Sequence, residues 1–498
     1  MPSPKEIYED FTSKRIDIST AKDLLLSLIE NMEEPTIRMK GLTYLGRILA
    51  NAEQKDTKLF KTLENLLISD SDERIRALTA QELFSLYPQK SKAPLIWAFN
   101  HEKTLTSLIQ ITMLLGEMND NSSRSTFLKY LQEILEKKYQ YNLKRFQRSE
   151  FEKMSTSELA EILVNYEIIS HIKYKYGYVN YTVRKGLITI LDLSNADSQG
   201  LRSLSDFLPH ITHLRALEDL DLRFNHIFTI PEEISRLESL ISLDLSYNRL
   251  NTIPISIGQL THLKSLNLKT NRIMAMPNTL GDLKCLEYLN LRSNRLKTLP
   301  DSAGNLKSLK TLDLHGNQFK KLPDSLQQLQ ALENLELGWN KLKKVPEWIA
   351  NLQSLKKLGL GGNKLKNLPS WISELSSLKE LDLYDNLLKK LPSSLGNLDK
   401  LEVLTLRNNK LTMLPSSLSS LVSLKELNLS WNNFQELPES VSGLTSLEVL
   451  NLWGNNLQSL PESLGNLKSL KELDLNFNKI KELPPSLKKL QKIVKIKL

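Results

Sequence analysis

Residues 283–300 read Leu283-Lys-Cys-Leu286-Glu-Tyr-Leu289-Asn-Leu291-Arg-Ser-Asn294-Arg-Leu296-Lys-Thr-Leu299-Pro300. Leu289 and Leu291 alternate at period two, which predicts a short strand with its leucines inward and its neighbours outward. Asn294 stands where the chain leaves that strand. Its amide both donates and accepts, so it can satisfy backbone groups stranded inside the turn. Leu299-Pro300 fixes φ and favours an extended or short 3₁₀ return over a long helix.

Outward from this unit the pattern repeats without a slip. Asparagines recur at Asn225, Asn248, Asn271, Asn294, Asn317 and onward to Asn478 in steps of 23 residues, and prolines keep the same step from Pro231 to Pro484. No unit can bury its leucines alone, so stacking supplies the core and lines the strands up as a parallel sheet along one face. Upstream, Leu191-Asp-Leu193-Ser-Asn195 reads as a strand out of step, in an irregular leading repeat over 181–213. Downstream, Leu490, Ile493, Ile496 and Leu498 begin a further strand with no capping helix expected, and nearby lysines including Lys495 and Lys497 discourage strand-on-strand pairing there.

The unit Leu-x-x-Leu-x-x-Leu-x-Leu-x-x-Asn-x-Leu-x-x-Leu-Pro resembles the intracellular leucine-rich repeat of the Ras-suppressor type, over about residues 214–498. The resemblance implies an α/β leucine-rich-repeat solenoid of about twelve repeats with a parallel sheet on its concave face. It also implies a scaffold whose partners are of the small-GTPase, phosphatase or kinase class. The matching positions are the buried ones, so they speak for the fold more than for the partner.

Residues 1–180 read as an all-α domain. Glu33-Glu-Pro35-Thr-Ile37-Arg38 leads into Leu42-x-x-Leu45, and Asp70-Ser-Asp72-Glu-Arg-Ile75-Arg76 leads into Ala80-x-x-Leu83. An acidic turn, then Ile-Arg, then an apolar helical face resembles the second helix of a HEAT repeat, with a fainter copy over 104–115; an irregular helical bundle is the alternative. Asn119-Asp-Asn-Ser-Ser123 reads as a loop. Residues 139–148, rich in Lys, Arg, Tyr and Gln, read either as a basic contact segment or as a solvated helix face.

Bulk composition bounds the rest. The chain has 498 residues, 40% hydrophobic and 25% charged, which suits two or three soluble domains. It shows no apolar run of bilayer length and no secretory signal at its start. A lone cysteine, Cys285, excludes an internal disulfide, and the expected compartment is a reducing one, the cytoplasm. The net charge is +9, but 57 acidic residues intermingle with 66 basic ones, which disfavours a general nucleic-acid binder.

Chemistry-bearing motifs are missing. No phosphate-binding Gly-x-x-x-x-Gly-Lys-Ser/Thr loop occurs, His210-x-x-His213 has no third ligand nearby, and Cys285 has no evident base, so it reads as structural. The sequence reading is therefore non-enzymatic, with no cofactor and no metal.

The informative positions lie two, four and six residues before each asparagine, with the preceding-asparagine position at the rim. They point away from the core and vary freely. Tyr288, Arg292, His315, Glu336, Trp339, Asp382, Tyr384, Arg407, Trp431 and Trp453 are the candidate protein-binding residues, because aromatic and arginine anchors among charged neighbours are the usual composition of interface hot spots. Gly359, Gly361 and Gly362 read as a bare notch in that wall, and Trp348 and Trp371 as a second contact patch. Basic residues after the repeat asparagines, among them Lys320, Lys321, Lys343, Lys344, Lys389 and Lys390, line one edge. They read as a solvated edge, or alternatively as an anion-dependent surface for nucleic acid or membrane.

Overall fold

The computed structural model describes residues 2–50, 56–136, 151–177, 179–196, 207–490 and 494–498. The chain divides into two compact units, Met1–Ile190 and Leu191–Leu498.

The first unit is built of helices: α1 Pro4–Thr12, α2 Ile18–Asn31, α3 Pro35–Leu49, α4 Thr57–Ser69, α5 Glu73–Leu86, α6 Lys92–His101, α7 Leu105–Met118, α8 Asn121–Glu136 and α9 Thr156–Tyr176. Their starts are written into the sequence. Asp17, Asp56 and Asp72 accept from first-turn N–H groups, and Ser3 and Ser155 close capping boxes with Glu6 and Glu158. Helix α2 packs on α3, α4 on α5 and α6 on α7, while α3, α5 and α7 lie side by side and α9 covers α7. Arginine–acid pairs tie successive helix pairs together. The Arg38 guanidinium meets Asp70, and Arg76 meets Glu102 at 2.7 Å. Helix α8 begins at Asn121, inside the segment read as a loop, because Asp120 accepts from the Ser122 N–H at 2.8 Å and starts the helix. The basic stretch 139–148 lies outside the described residues. A hairpin of β1 Asn180–Arg184 and β2 Leu187–Asp192 follows, its turn residues Lys185 and Gly186 having φ of 52° and 81°, and β2 runs past Ile190 into the second unit.

The second unit is the repeat array. After the short helix α10 Leu208–Ile211, twelve three-residue strands run from β3 Asp219–Asp221 to β14 Glu472–Asp474 at the repeat interval, followed by β15 Lys495–Lys497. They pair in parallel and in register, so that Leu289 lies beside Leu312 and Leu335 beside Leu358. Each central leucine is buried. The return is a five-residue 3₁₀ turn, eleven times over, each preceded by a proline in extended conformation, such as Pro300 before Asp301–Asn305.

The asparagines form a ladder between repeats. Asn294 donates its amide to the carbonyls of Leu268 (2.9 Å) and Leu291 (3.1 Å), and its Oδ1 accepts from the Ile273 N–H at 3.0 Å. Each such side chain therefore satisfies backbone of its own repeat and of the one before. A second set of stitches runs along the 3₁₀ turns. Ser302, Ser394 and Ser417 each donate to a carbonyl of the preceding repeat at 2.6 Å. Glycine faces that contact: a Cβ on Gly281 would lie 2.2 Å from the Ser302 carbonyl oxygen.

Several expectations are corrected here. The last repeat does carry a helix, α11 Pro485–Leu490, where a 3₁₀ turn stands in the others. Cys285 is exposed, one residue short of the buried Leu286. His213 is half-buried, and its pKa is lowered to about 4, chiefly by burial and next by Arg236. Trp348 is no contact patch: it is only 6% exposed, and its buried Nε1 has no hydrogen-bond partner among the described residues. It fills the slot held by Ser302, which makes the stitch, and by Ser325, whose hydroxyl finds no partner among the described residues. Trp371, in the same slot of the next repeat, is half-buried.

Candidate protein-binding face

The outward positions of the strands and the residues just after them form one surface of the sheet. Its geometry is set at the residue before each asparagine, where the chain turns out of the strand with positive φ in repeat after repeat. The N–H there bonds to the following repeat, as Tyr247 does to the Lys269 carbonyl at 2.8 Å and Trp431 to the Trp453 carbonyl at 2.8 Å. Left-handed backbone suits glycine, and Gly316, Gly362 and Gly454 occupy it in three repeats. Asp385 and Asn408 are the next cheapest choices. Phe224, Tyr247, Trp339, Trp431 and Phe477 adopt the same conformation at φ between 49° and 57°, where a bulky side chain is strained. All five are exposed, Trp339 by 53%, Trp431 by 47% and Phe477 by 77%.

These rings gather in three groups. Phe224 stacks on Tyr247 at 4.4 Å, with the Lys269 ammonium 5.3 Å from the Tyr247 ring. Trp453 sits between Trp431 and Phe477, meeting them edge-on at 4.9 and 5.7 Å. In the middle group Trp339 donates its indole N–H to the Tyr384 hydroxyl.

The glycines read as a notch lie under that middle group and are covered. A Cβ on Gly361 would fall 2.1 Å from the Tyr384 ring, one on Gly362 would fall 2.9 Å from the Trp339 ring, and one on Gly359 would fall 1.8 Å from Glu336 Oε2. Their missing side chains leave room for neighbours to fold across the sheet, so the surface there is an aromatic arch and not a gap.

Charged groups cluster beside the arch. Lys357 reaches Glu336 at 3.5 Å and Glu380 at 3.3 Å. Burial raises the pKa of Glu336 against the opposing pull of Lys357, and burial likewise raises that of Asp382, whose carboxylate accepts from the Tyr384 N–H at 3.1 Å. His315 is pushed down by burial and by Arg292. Tyr288 accepts from the Asn290 amide at 2.9 Å. Of the candidate residues, Glu336, Trp339, Asp382 and Tyr384 therefore sit together, Trp431 and Trp453 form a separate pair, Tyr288, Arg292 and His315 lie in earlier repeats, and Arg407 is exposed between the two later groups. Lys357, Tyr247 and Phe477 hold outward or rim positions of the same surface without being among the ten candidates, and Phe224 holds the rim position in the first of these repeats. The signal that finds the aromatics is the position directly before the asparagine.

Family profiles match most of the array. One described as a leucine-rich repeat region covers residues 185–292 and 278–383, a leucine rich repeat covers 376–434, and a two-copy repeat covers 445–489. Among solved structures, a leucine-rich-repeat protein of Leptospira interrogans is 35% identical, with 58% of this chain and 80% of that one covered at a TM-score of 0.52. An internalin of Listeria monocytogenes is 22% identical over 68% of this chain and 94% of its own, at a TM-score of 0.56, a likeness of fold. The plant peptide hormone receptor RGFR1, solved in complex with RGF2, is 29% identical at a TM-score of 0.48, and the match spans about half of that receptor (52%). Among curated proteins no sequence matches significantly. The chain belongs to the leucine-rich-repeat proteins, whose solenoids are as a class protein-binding scaffolds. Among the described residues no helix is long and apolar enough to cross a membrane.

Proposed function

We propose that this chain is a non-enzymatic, cytoplasmic scaffold or adaptor that grips a globular protein on the outward face of its repeat sheet. The observation that carries the reading is the set of five exposed aromatic side chains held on left-handed backbone. The turn imposes this conformation in every repeat, so a bulky ring there costs stability that glycine would not, and such a cost persists where something offsets it. Large aromatics beside charged groups are the composition of binding hot spots. The resemblance of the repeat to the Ras-suppressor type favours a signalling partner of the small-GTPase, phosphatase or kinase class. The stacked helix pairs of the first unit, with their arginine–acid ties, support a HEAT-like reading and a second partner there. The test is capture of binding proteins by the wild type and by Trp431→Ala/Trp453→Ala, followed by identification of what is lost. Loss of specific proteins by a variant that still folds supports the proposal; an unchanged set contradicts it.

The alternative, anion-dependent binding through the lysine edge, uses a different surface. Reversing Lys343, Lys344, Lys389 and Lys390 abolishes that activity and spares the first.

A further inference from the structure

Lysines on the edge beyond the asparagine turn stack in register. Lys297, Lys320, Lys343, Lys366 and Lys389 each stand three residues after a repeat asparagine, and all are exposed. Adjacent repeats are separated by about 5 Å in the sheet, so like charges sit over like charges, an arrangement that is unfavourable in itself.

The same solenoid neutralises lysines elsewhere. Lys310 reaches Glu287 at 2.6 Å, Lys379 and Lys425 share Glu402 at 2.9 and 2.6 Å, and Lys471 reaches Glu448 at 2.6 Å, each across one repeat. On the stacked edge that solution is not used. Lys320, Lys321, Lys341, Lys343, Lys344 and Lys364 line an open groove of about 800 Å³, and among the described residues none of them has a carboxylate partner. The groove lies where Trp348 occupies the serine slot and where the flanking 3₁₀ turns pack less closely than elsewhere in the stack. Leu322, Val345 and two prolines also line it, along with a row of carboxylates, Asp301, Asp324 and Glu347, from the starts of successive 3₁₀ turns.

We propose that this groove holds an extended acidic segment of a partner protein. The lysines supply the charge that recognises Asp and Glu side chains. The carboxylate row decides between polyanions: it repels a uniform phosphate backbone, whereas a peptide also presents N–H donors for carboxylates to accept. The lining carries no aromatic ring for a base to stack on, which nucleic-acid grooves use. Its apolar side chains, Leu322, Leu342 and Val345, are buried and present no exposed apolar surface by which a segment enters a lipid interface.

The test uses the full chain and a fluorescein-labelled Glu-Ser repeat peptide followed by anisotropy, with a single-stranded oligonucleotide and phosphatidylserine vesicles as competitors. The expected result is saturable, salt-sensitive peptide binding that weakens roughly tenfold in Lys320→Glu/Lys343→Glu/Lys344→Glu, the loss expected for three partly screened charge contacts. The corresponding Gln variant shows a smaller loss, and both unfold at the wild-type temperature. Trp431→Ala/Trp453→Ala binds the peptide as the wild type does, which separates this site from the aromatic face. Equal binding by the charge-reversed variant, or stronger binding of the oligonucleotide or the vesicles than of the peptide, overturns the proposal.

Discussion

The indole N–H of Trp339 reaches the hydroxyl of Tyr384 across an intervening repeat that has glycine at positions 359, 361 and 362. The bond joins side chains 45 residues apart, and the three glycines beneath leave the two rings room to meet. Replacing Tyr384 by Phe removes the acceptor and is expected to cost about 0.5–1.5 kcal/mol. Gly361→Ala acts on the same bond from below by displacing the Tyr384 ring. Both changes register in tryptophan fluorescence, and a spectrum unaltered in either variant would show that the arch does not hold in solution.

The asparagine ladder is the main polar connection inside the array. Asn294→Ala leaves the Ile273 N–H without its acceptor in a buried turn, and it takes from the Leu268 and Leu291 carbonyls one of two amide donors each, the others being Asn271 and Asn317. The expected cost is roughly 1–3 kcal/mol, read from urea unfolding, with the same size of effect at Asn317 or Asn363. A loss confined to a few tenths of a kcal/mol would mean that water enters the turn.

Left-handed backbone under an exposed ring predicts a trade between stability and binding. Phe477→Gly is expected to raise stability by about 1 kcal/mol, because it relieves the strain at φ 56° and gives up little buried area. Partner affinity falls in the same variant. Thermal unfolding and binding are measured on one preparation, and a drop in stability would contradict the strain argument.

In the helical unit, burial raises the Glu102 pKa, but the Arg76 guanidinium and the Thr104 N–H and hydroxyl outweigh it, leaving the group at about 2. A carboxylate with a depressed folded pKa contributes stability above its unfolded value, and that contribution is lost as pH falls from about 4.5 toward about 2. Arg76→Ala leaves an unpaired, nearly buried carboxylate, costs about 3 kcal/mol at neutral pH and flattens the acid limb. Hydrogen exchange of the α5 and α7 amides across that pH range reads both effects.

The period of leucine, asparagine and proline makes the array readable residue by residue, since a repeat must bury the same positions each time. What escapes such a reading depends on neighbours. Trp348 looks exposed because its slot holds serine in other repeats, yet a ring without room to face water turns into the stack. Gly359, Gly361 and Gly362 look like a gap because sequence shows what a repeat lacks, not which side chains of adjacent repeats fold over it. The site aromatics before the asparagine were legible as outward-facing, but their strain was not, since φ at that position follows from the turn and leaves no mark in composition.

The most direct test is the affinity of a captured partner for the wild type and for Trp431→Ala/Trp453→Ala, measured beside thermal unfolding. Loss of two central aromatic anchors predicts at least a hundredfold weaker Kd, on the order of 3 kcal/mol, with the unfolding temperature little changed. A partner that binds both proteins equally well would contradict the assignment of the binding face.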